Sequence, residues 1–166
     1  MNVNNRRNQK YLKTLTVLYV EDDADTREQF SDFLRRSVGT LIAAENGADG
    51  LEAFQKETPD IVVTDILMPK MDGLTMAQEI LRIMPSVPII IVAVFEQTDF
   101  MLRAINLGIE KYVTKPVNSY QLYESLLNCA YRLRTEQLKK LRVLRRDSMV
   151  HFTERLTTNA PGINYA

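Results

Sequence analysis

Residues 16–25 read TVLYVEDDAD, an almost wholly apolar run that ends abruptly in acidic residues. Such a short run, rich in β-branched and aromatic residues, predicts a strand of a sheet that is covered on both faces. Glu21, Asp22 and Asp23 follow at its carboxyl end. Carboxylates crowded at one point repel each other. An acid cluster in this position therefore indicates either a compensating cation or a structural role, such as capping the helix that follows.

Similar short apolar runs occur four more times along the chain. Short apolar runs alternate with longer amphipathic segments, and proline or glycine stands at several junctions. Strands are predicted at residues 16–20, 41–44, 61–64, 89–94 and 111–114. Strands that alternate with helices in this way predict an α/β fold: a doubly wound, five-stranded parallel sheet in the flavodoxin-like order 2-1-3-4-5. The last helical pattern starts at Ser119 and continues well beyond the sheet, which predicts an extended C-terminal helix.

The predicted sheet gathers charged side chains at one edge. In doubly wound sheets, ligands bind beyond the carboxyl ends of the strands, where the strand order reverses. The acids after the first strand and Asp65, after the third, should therefore converge, and Lys115 follows the fifth strand at the same edge. Mg²⁺ would compensate the carboxylates, and the lysine suits an arriving anion such as a phosphoryl group. An aspartate beside both can act as the nucleophile of phosphoryl transfer.

Three motifs, VEDDADTR, DILMPKMDG and YVTKP, lie on this frame. Together they resemble the receiver domain of two-component response regulators, over about residues 15–133. The resemblance implies a phosphoprotein that accepts a phosphoryl group from a histidine kinase with Mg²⁺ as cofactor. Such a protein is not a turnover enzyme, because it catalyses only its own phosphorylation and dephosphorylation.

The resemblance also assigns roles to individual residues. Arg27 sets the register of the first motif, which leaves Asp23 as an additional acid. The implied metal ligands are Glu21, Asp22, Asp65 and the backbone carbonyl of Leu67. Asp65 is the implied phosphoacceptor, Lys115 contacts the phosphoryl group, and Tyr112 is the aromatic residue that changes rotamer on activation.

One position departs from the family pattern. The fourth strand reads PIIIVAVFEQ and has Ala93 where the family has serine or threonine, with Val94 in place of a small residue. Ala93 cannot donate the hydrogen bond to the phosphoryl group that normally draws the next loop inward. A hydrogen bond to a charged acceptor contributes about 1.5–3 kcal/mol, so we predict a weakened switch. The alternative is a receiver-like interaction module that works without phosphorylation.

Several residues also allow a less specific explanation. Asp23 or Asp25 can serve simply as a helix N-cap, and Asp72 with Gly73 can shape a turn and cap the third helix. A Mg²⁺-dependent phosphohydrolase would use the same acids. It is disfavoured because Leu67 stands where a second acid would be needed as the general acid.

Composition and charge narrow the class of protein further. Lys plus Arg and Asp plus Glu number 21 each, which predicts no direct binding of nucleic acid or membrane. The basic residues are unevenly placed, with a concentration at residues 132–146. One cysteine, Cys129, excludes an intramolecular disulfide and favours a cytoplasmic location.

The predicted organisation has three parts. Residues 1–13 are polar and predict a disordered lead-in, and residues 14–134 form the receiver domain. Residues 135–166 are a helical extension or the start of an output region. Any homodimer is expected to form through the fourth helix, fifth strand and fifth helix, or through the C-terminal helix.

Overall fold

The fold is a five-stranded, fully parallel sheet covered by helices. The computed structural model describes the backbone of residues 3–94, 98–109 and 111–158, and the side chains of 6–94, 99–109 and 111–146. The strands are β1 (Thr16–Val20), β2 (Thr40–Ala44), β3 (Ile61–Asp65), β4 (Ile89–Ala93) and β5 (Lys111–Thr114). The helices are α1 (Val3–Leu12), α2 (Ala24–Ser37), α3 (Gly47–Glu57), α4 (Gly73–Ile83), α5 (Thr98–Asn106) and α6 (Ser119–Thr158). The strand order β2-β1-β3-β4-β5 confirms the predicted topology.

Helix α1 corrects one prediction. The polar composition of residues 1–13 predicts disorder, and this is wrong from residue 3 onward. Leu12, the last residue of the helix, is fully buried, and Leu15, three residues later, is 5% exposed. The Gly39 N–H donates to the Leu15 carbonyl at 3.0 Å and ties the segment to the turn before β2. Burial of these leucines anchors the C-terminal end of a helix whose other residues are mostly polar.

The burial of a strand depends on whether it lies in the centre or at the edge of the sheet. Every residue of β3 and β4 is buried, whereas the edge strand β2 is half-exposed. This burial agrees with their composition, since seven of the ten residues of β3 and β4 are isoleucine or valine. A large hydrophobic cluster covers one face of the sheet and includes Leu18, Val20, Phe54, Leu74, Met76, Ile80 and Ile91.

Capping residues start the helices that follow the first three strands at the carboxyl edge of the sheet. Asp23 accepts from the Thr26 N–H at 2.8 Å, Asn46 caps α3, and Asp72 accepts from both the N–H and the hydroxyl of Thr75. The cap predicted among the acids of the first motif is thus Asp23, and Asp25 lies inside the first turn of α2. The predicted cap at Asp72 is confirmed.

Helix α6 is long, as predicted, and the chain divides into two compact units. The first unit ends at Tyr131 and the second begins at Arg132. Within the part of the chain that the structure describes, no helix has the length and apolar character needed to cross a membrane.

Candidate functional site

Three carboxylates meet at the carboxyl edge of the sheet. Val20 pairs with Thr64 in the β1–β3 register, so Glu21 and Asp65, the next residues, emerge side by side. One carboxylate oxygen from each of Glu21, Asp22 and Asp65 can be chosen so that all three lie within 4.8 Å of one another. Glu21 and Asp65 are 1% and 7% exposed, whereas Asp22 is exposed. The cluster therefore has a buried base and one side open to solvent.

Lys115 joins the cluster from the far side of β4. Its Nζ donates to Asp65 Oδ2 at 2.5 Å and to Glu21 Oε2 at 3.2 Å. The backbone N–H of Lys115 donates to the Ala93 carbonyl at 2.9 Å. This hydrogen bond to β4 positions the backbone from which the Lys115 side chain extends. The structure thus brings together four residues from three separate parts of the sequence.

The pKa values of the site reflect burial and crowding. Burial raises the pKa of Glu21, and the nearby charge of Asp65 raises it further, with Lys115 opposing both effects. Burial alone would lower the pKa of Lys115, but its hydrogen bond and charge interaction with Asp65 outweigh burial, so its pKa is raised. Burial followed by the charge of Glu21 also raises the pKa of Tyr19. One ammonium group therefore stabilises buried carboxylates that it cannot fully neutralise.

Backbone contacts hold the acidic loop in place. Arg27 Nη1 donates to the carbonyls of Glu21 and Asp22 at 2.7 and 3.0 Å. Because Arg27 of α2 bonds the backbone carbonyls and not the side chains, it fixes the loop and leaves the carboxylates of Glu21 and Asp22 available to bind an ion. Thr64 Oγ1 donates to the Asp65 carbonyl at 2.8 Å, and the Ile66 N–H donates to Asp65 Oδ1 at 2.6 Å. The hydrogen bond of Thr64 has no signature in the sequence motifs, and the sequence shows Arg27 only as the residue that sets the register of the first motif.

Gly73 is required by close approach. A Cβ atom at this position would lie 1.8 Å from the Asp65 carbonyl oxygen and 2.9 Å from Thr64 Oγ1. The Gly73 N–H donates to the Ile66 carbonyl at 2.8 Å. The start of α4 is therefore packed directly against the backbone of the candidate phosphoacceptor. The motif contains this glycine, but its spacing does not reveal the contact.

The residues present fit a hard divalent cation. Carboxylate oxygens at these separations can share one ion after small side-chain rotations, and Mg²⁺ prefers a few carboxylates together with water and phosphate oxygens. Leu67, whose backbone carbonyl is the further predicted ligand, lies just after β3, and its side chain is 52% exposed. Its role as a ligand stays a prediction.

The two predicted switch positions lie on β4 and β5. Ala93 ends β4, is 2% exposed and pairs in register with Thr114. Val94, the next residue, is 51% exposed. Tyr112 is half-buried against the main hydrophobic cluster, and burial raises its pKa. Ala93 has no polar side-chain atom, and none of the described hydrogen bonds joins Tyr112 to the acid–lysine cluster.

Fold and site together define a flavodoxin-like domain with a carboxylate–lysine centre at its topological switch point. A family model for the response regulator receiver domain matches residues 17–127. The chain therefore belongs to the response regulator receiver domain family of two-component signalling.

Individual relatives agree with this assignment. The chain is 33% identical over 111 residues to the chemotaxis protein CheY of Bacillus subtilis, which covers 66% of this chain and 92% of that protein. It is 30% identical over 149 residues to a cyclic di-GMP phosphodiesterase of Thermotoga maritima, covering 84% of this chain but only 40% of the relative. Among solved structures, the N-terminal domain of an uncharacterised Wolinella succinogenes protein is similar with a TM-score of 0.69 and 31% identity, covering 76% and 99% of the two chains.

Proposed function

We propose that this receiver domain accepts a phosphoryl group from a histidine kinase on Asp65, with Mg²⁺ held by Glu21, Asp22 and Asp65. The observation that carries the proposal is the contact of Lys115 with both buried carboxylates. It gathers a nucleophile, a cation and further metal-ligating acids at one solvent-accessible point. The carbonyl of Leu67 would supply a further metal ligand.

In the proposed reaction, a carboxylate oxygen of Asp65 attacks the phosphorus of the donor. An O–P bond to Asp65 forms as the P–N bond to the donor histidine breaks, and the imidazole leaves with the electron pair of that bond. Lys115 contacts a phosphoryl oxygen and offsets its negative charge. Bound Mg²⁺ would supply charge neutralisation and orientation, the two main requirements of phosphoryl transfer.

The proposed domain signals in the cytoplasm through a surface and does not turn over a substrate. Helix α5, strand β5 and the start of α6 correspond to the predicted fourth helix, fifth strand and fifth helix. Leu102 and Ile105 on α5 are 55% and 60% exposed, and Tyr120 on α6 is 68% exposed. These apolar side chains support a role of this face in contacts with a partner or with a second copy. The C-terminal helix was the other predicted route to a homodimer.

The proposed switch is weak because Ala93 has no hydroxyl group to offer the phosphoryl group. The loss removes the hydrogen bond that would link phosphorylation of Asp65 to the loop after β4. Tyr112 would then change its rotamer less completely. The same observation favours a second candidate function, an interaction module whose partner binds whether or not Asp65 is phosphorylated.

Intact mass spectrometry after incubation with acetyl phosphate and Mg²⁺ tests the proposal. We expect one added phosphoryl group that is labile at alkaline pH and absent when EDTA replaces Mg²⁺. The Asp65→Asn variant should show no adduct, and the matched control Asp25→Asn, an exposed acid in the first turn of α2, should react normally. No adduct on the unmodified chain would favour the second candidate. Release of inorganic phosphate from many substrates would favour a phosphohydrolase.

A further inference from the structure

The middle of α6 combines strong charge with exposed leucines. Residues 137–146 read QLKKLRVLRR, with five lysines or arginines and no acid. All ten residues are exposed, and Leu138, Leu141 and Leu144 are 45%, 55% and 61% exposed. We call residues 137–146 the basic segment. Four large apolar side chains in ten exposed residues are more than a solvated charged helix needs, so the segment calls for a binding partner.

The basic segment is amphipathic. With about 100° between successive helical residues, Leu138, Leu141 and Leu144 fall within an arc of about 120°. Two cations, Lys139 and Arg146, lie on the opposite side, together with Val143. Arg142 and Lys140 flank the leucines, each about 40° beyond one edge of the arc, whereas Gln137 and Arg145 lie between the leucines. Leucines on one side with cations beside and behind them are typical of helices that lie at a lipid interface.

We propose that the basic segment binds the surface of an anionic lipid membrane, with the three leucines inserted at the headgroup boundary. One partner then accounts for both the charge and the exposed leucines. A second copy would bring two strongly cationic helices together, and the segment has no acid to form interhelical ion pairs. Nucleic acid would neutralise the cations but would leave the leucines exposed.

The zero net charge of the whole chain had argued against membrane binding. That balance conceals a division, because residues 14–131 carry eighteen acids and nine lysines or arginines. The excess of positive charge lies at the two ends of the sequence. Binding at a membrane surface needs no membrane-spanning helix, and it does not depend on phosphorylation of Asp65.

Cosedimentation of the full chain with lipid vesicles tests the proposal. We expect binding to vesicles of phosphatidylcholine with phosphatidylglycerol, weaker binding at high salt, and none to phosphatidylcholine alone. Neutralising Lys139, Lys140 and Arg142 to glutamine should weaken binding about 100-fold, since each cation contributes about fivefold. Leu141→Gln with Leu144→Gln should weaken it as well.

The matched control replaces three exposed cations of the first unit, Arg35, Lys56 and Arg82, with glutamine and should bind normally. Circular dichroism checks that each variant keeps its helix content. The proposal is overturned if neutral vesicles bind equally or if the control weakens binding as much as the triple variant. It is also overturned if sedimentation shows a dimer that the leucine variants dissociate, or if duplex DNA binds and vesicles do not.

Discussion

Replacing Lys115 with methionine probes the centre of the site. The side chain of Lys115 is 27% exposed, and its ammonium is the cation that contacts both Glu21 and Asp65 among the described residues. Methionine keeps the apolar length of lysine and removes the charge. The two buried carboxylates would then face each other without a compensating group, so we expect the folded state to lose stability.

The magnitude follows from the burial of the partners. Removing one member of a buried ion pair costs about 3–5 kcal/mol, because the remaining charge stays buried. Lys115 is partly solvated, which places the expected loss near the lower limit, at about 3 kcal/mol. For a chain of this size, such a loss lowers the melting temperature by about 6–12 °C.

Thermal unfolding of Lys115→Met in EDTA, at about pH 8, measures this loss. The pKa of Glu21 is already raised by burial and by the charge of Asp65, and Lys115 opposes the rise. Stability linked to a raised acid pKa is present below the unfolded value and is lost as pH rises through the folded value. Removal of Lys115 should raise the Glu21 pKa further, so the deficit of the variant should shrink as pH falls and Glu21 becomes protonated. Mg²⁺ should also restore stability, because an ion that binds only the folded state shifts the unfolding equilibrium. The effect should be larger than in the unmodified chain, where Lys115 already compensates the carboxylates.

The control is Lys56→Met: the Lys56 side chain is 78% exposed, and among the described ion pairs its ammonium contacts only the neighbouring Glu57, at 3.6 Å. Its melting temperature should change by little, since exposed pairs contribute about 0–1 kcal/mol. Equal melting temperatures for the two variants in EDTA would refute the reasoning. So would an equal effect of Mg²⁺ on both.

Three further substitutions test separate parts of the structure. Ala93→Thr should enlarge the change in tyrosine fluorescence on phosphorylation without changing the yield of adduct, and Tyr112→Phe should remove the added change, since the chain has seven tyrosines. An equal fluorescence change in the variant and the unmodified chain would contradict the proposed role. Asp72→Ala removes a helix cap and should cost about 1 kcal/mol by urea unfolding. Because hydrogen bonds to the capped turn lower the Asp72 pKa despite burial, this cost should disappear as pH falls through that lowered value, and a cost that persists in acid would count against it. Gly73→Ala should lower the free energy of unfolding by about 3 kcal/mol or prevent folding, because a Cβ atom there meets the Asp65 carbonyl. The control Gly108→Ala, at φ +75° with open space around it, should lower it by about 1–2 kcal/mol in the same assay. Equal losses would rule out the close contact at Gly73.

Local patterns in the sequence predicted the frame of the molecule. Short apolar runs located all five strands to within one residue at each end. The pattern was clearest for β3 and β4, because a strand buried on both faces leaves few residue types other than valine and isoleucine possible. The order of the strands followed from the alternation with helices. Once the order was known, the convergence of Asp65 with the acids after β1 followed from geometry, since neighbouring parallel strands end at the same edge.

Two kinds of contact could not be predicted from the sequence: those that depend on the reach of a long side chain and those in which two backbone segments approach closely. Gly73 lies against the Asp65 carbonyl because the turn folds back on the strand, and no periodic pattern records a distance of this kind. The hydrogen bonds of Arg27 to two carbonyls depend on the rotamer of a long side chain. Helix α1 was missed because its anchoring leucines stand at one end of an otherwise polar segment.

The position of Ala93 separates the proposed chemistry from the proposed switch. Its backbone carbonyl accepts the N–H of Lys115, and this contact does not depend on the side chain at position 93. The alanine therefore leaves Lys115 beside Asp65, where it would serve phosphoryl transfer. What the alanine removes is the hydroxyl that would connect the phosphoryl group to the next loop. A chain built in this way would accept a phosphoryl group readily and report it weakly, so phosphorylation yield and conformational response should be measured as independent quantities.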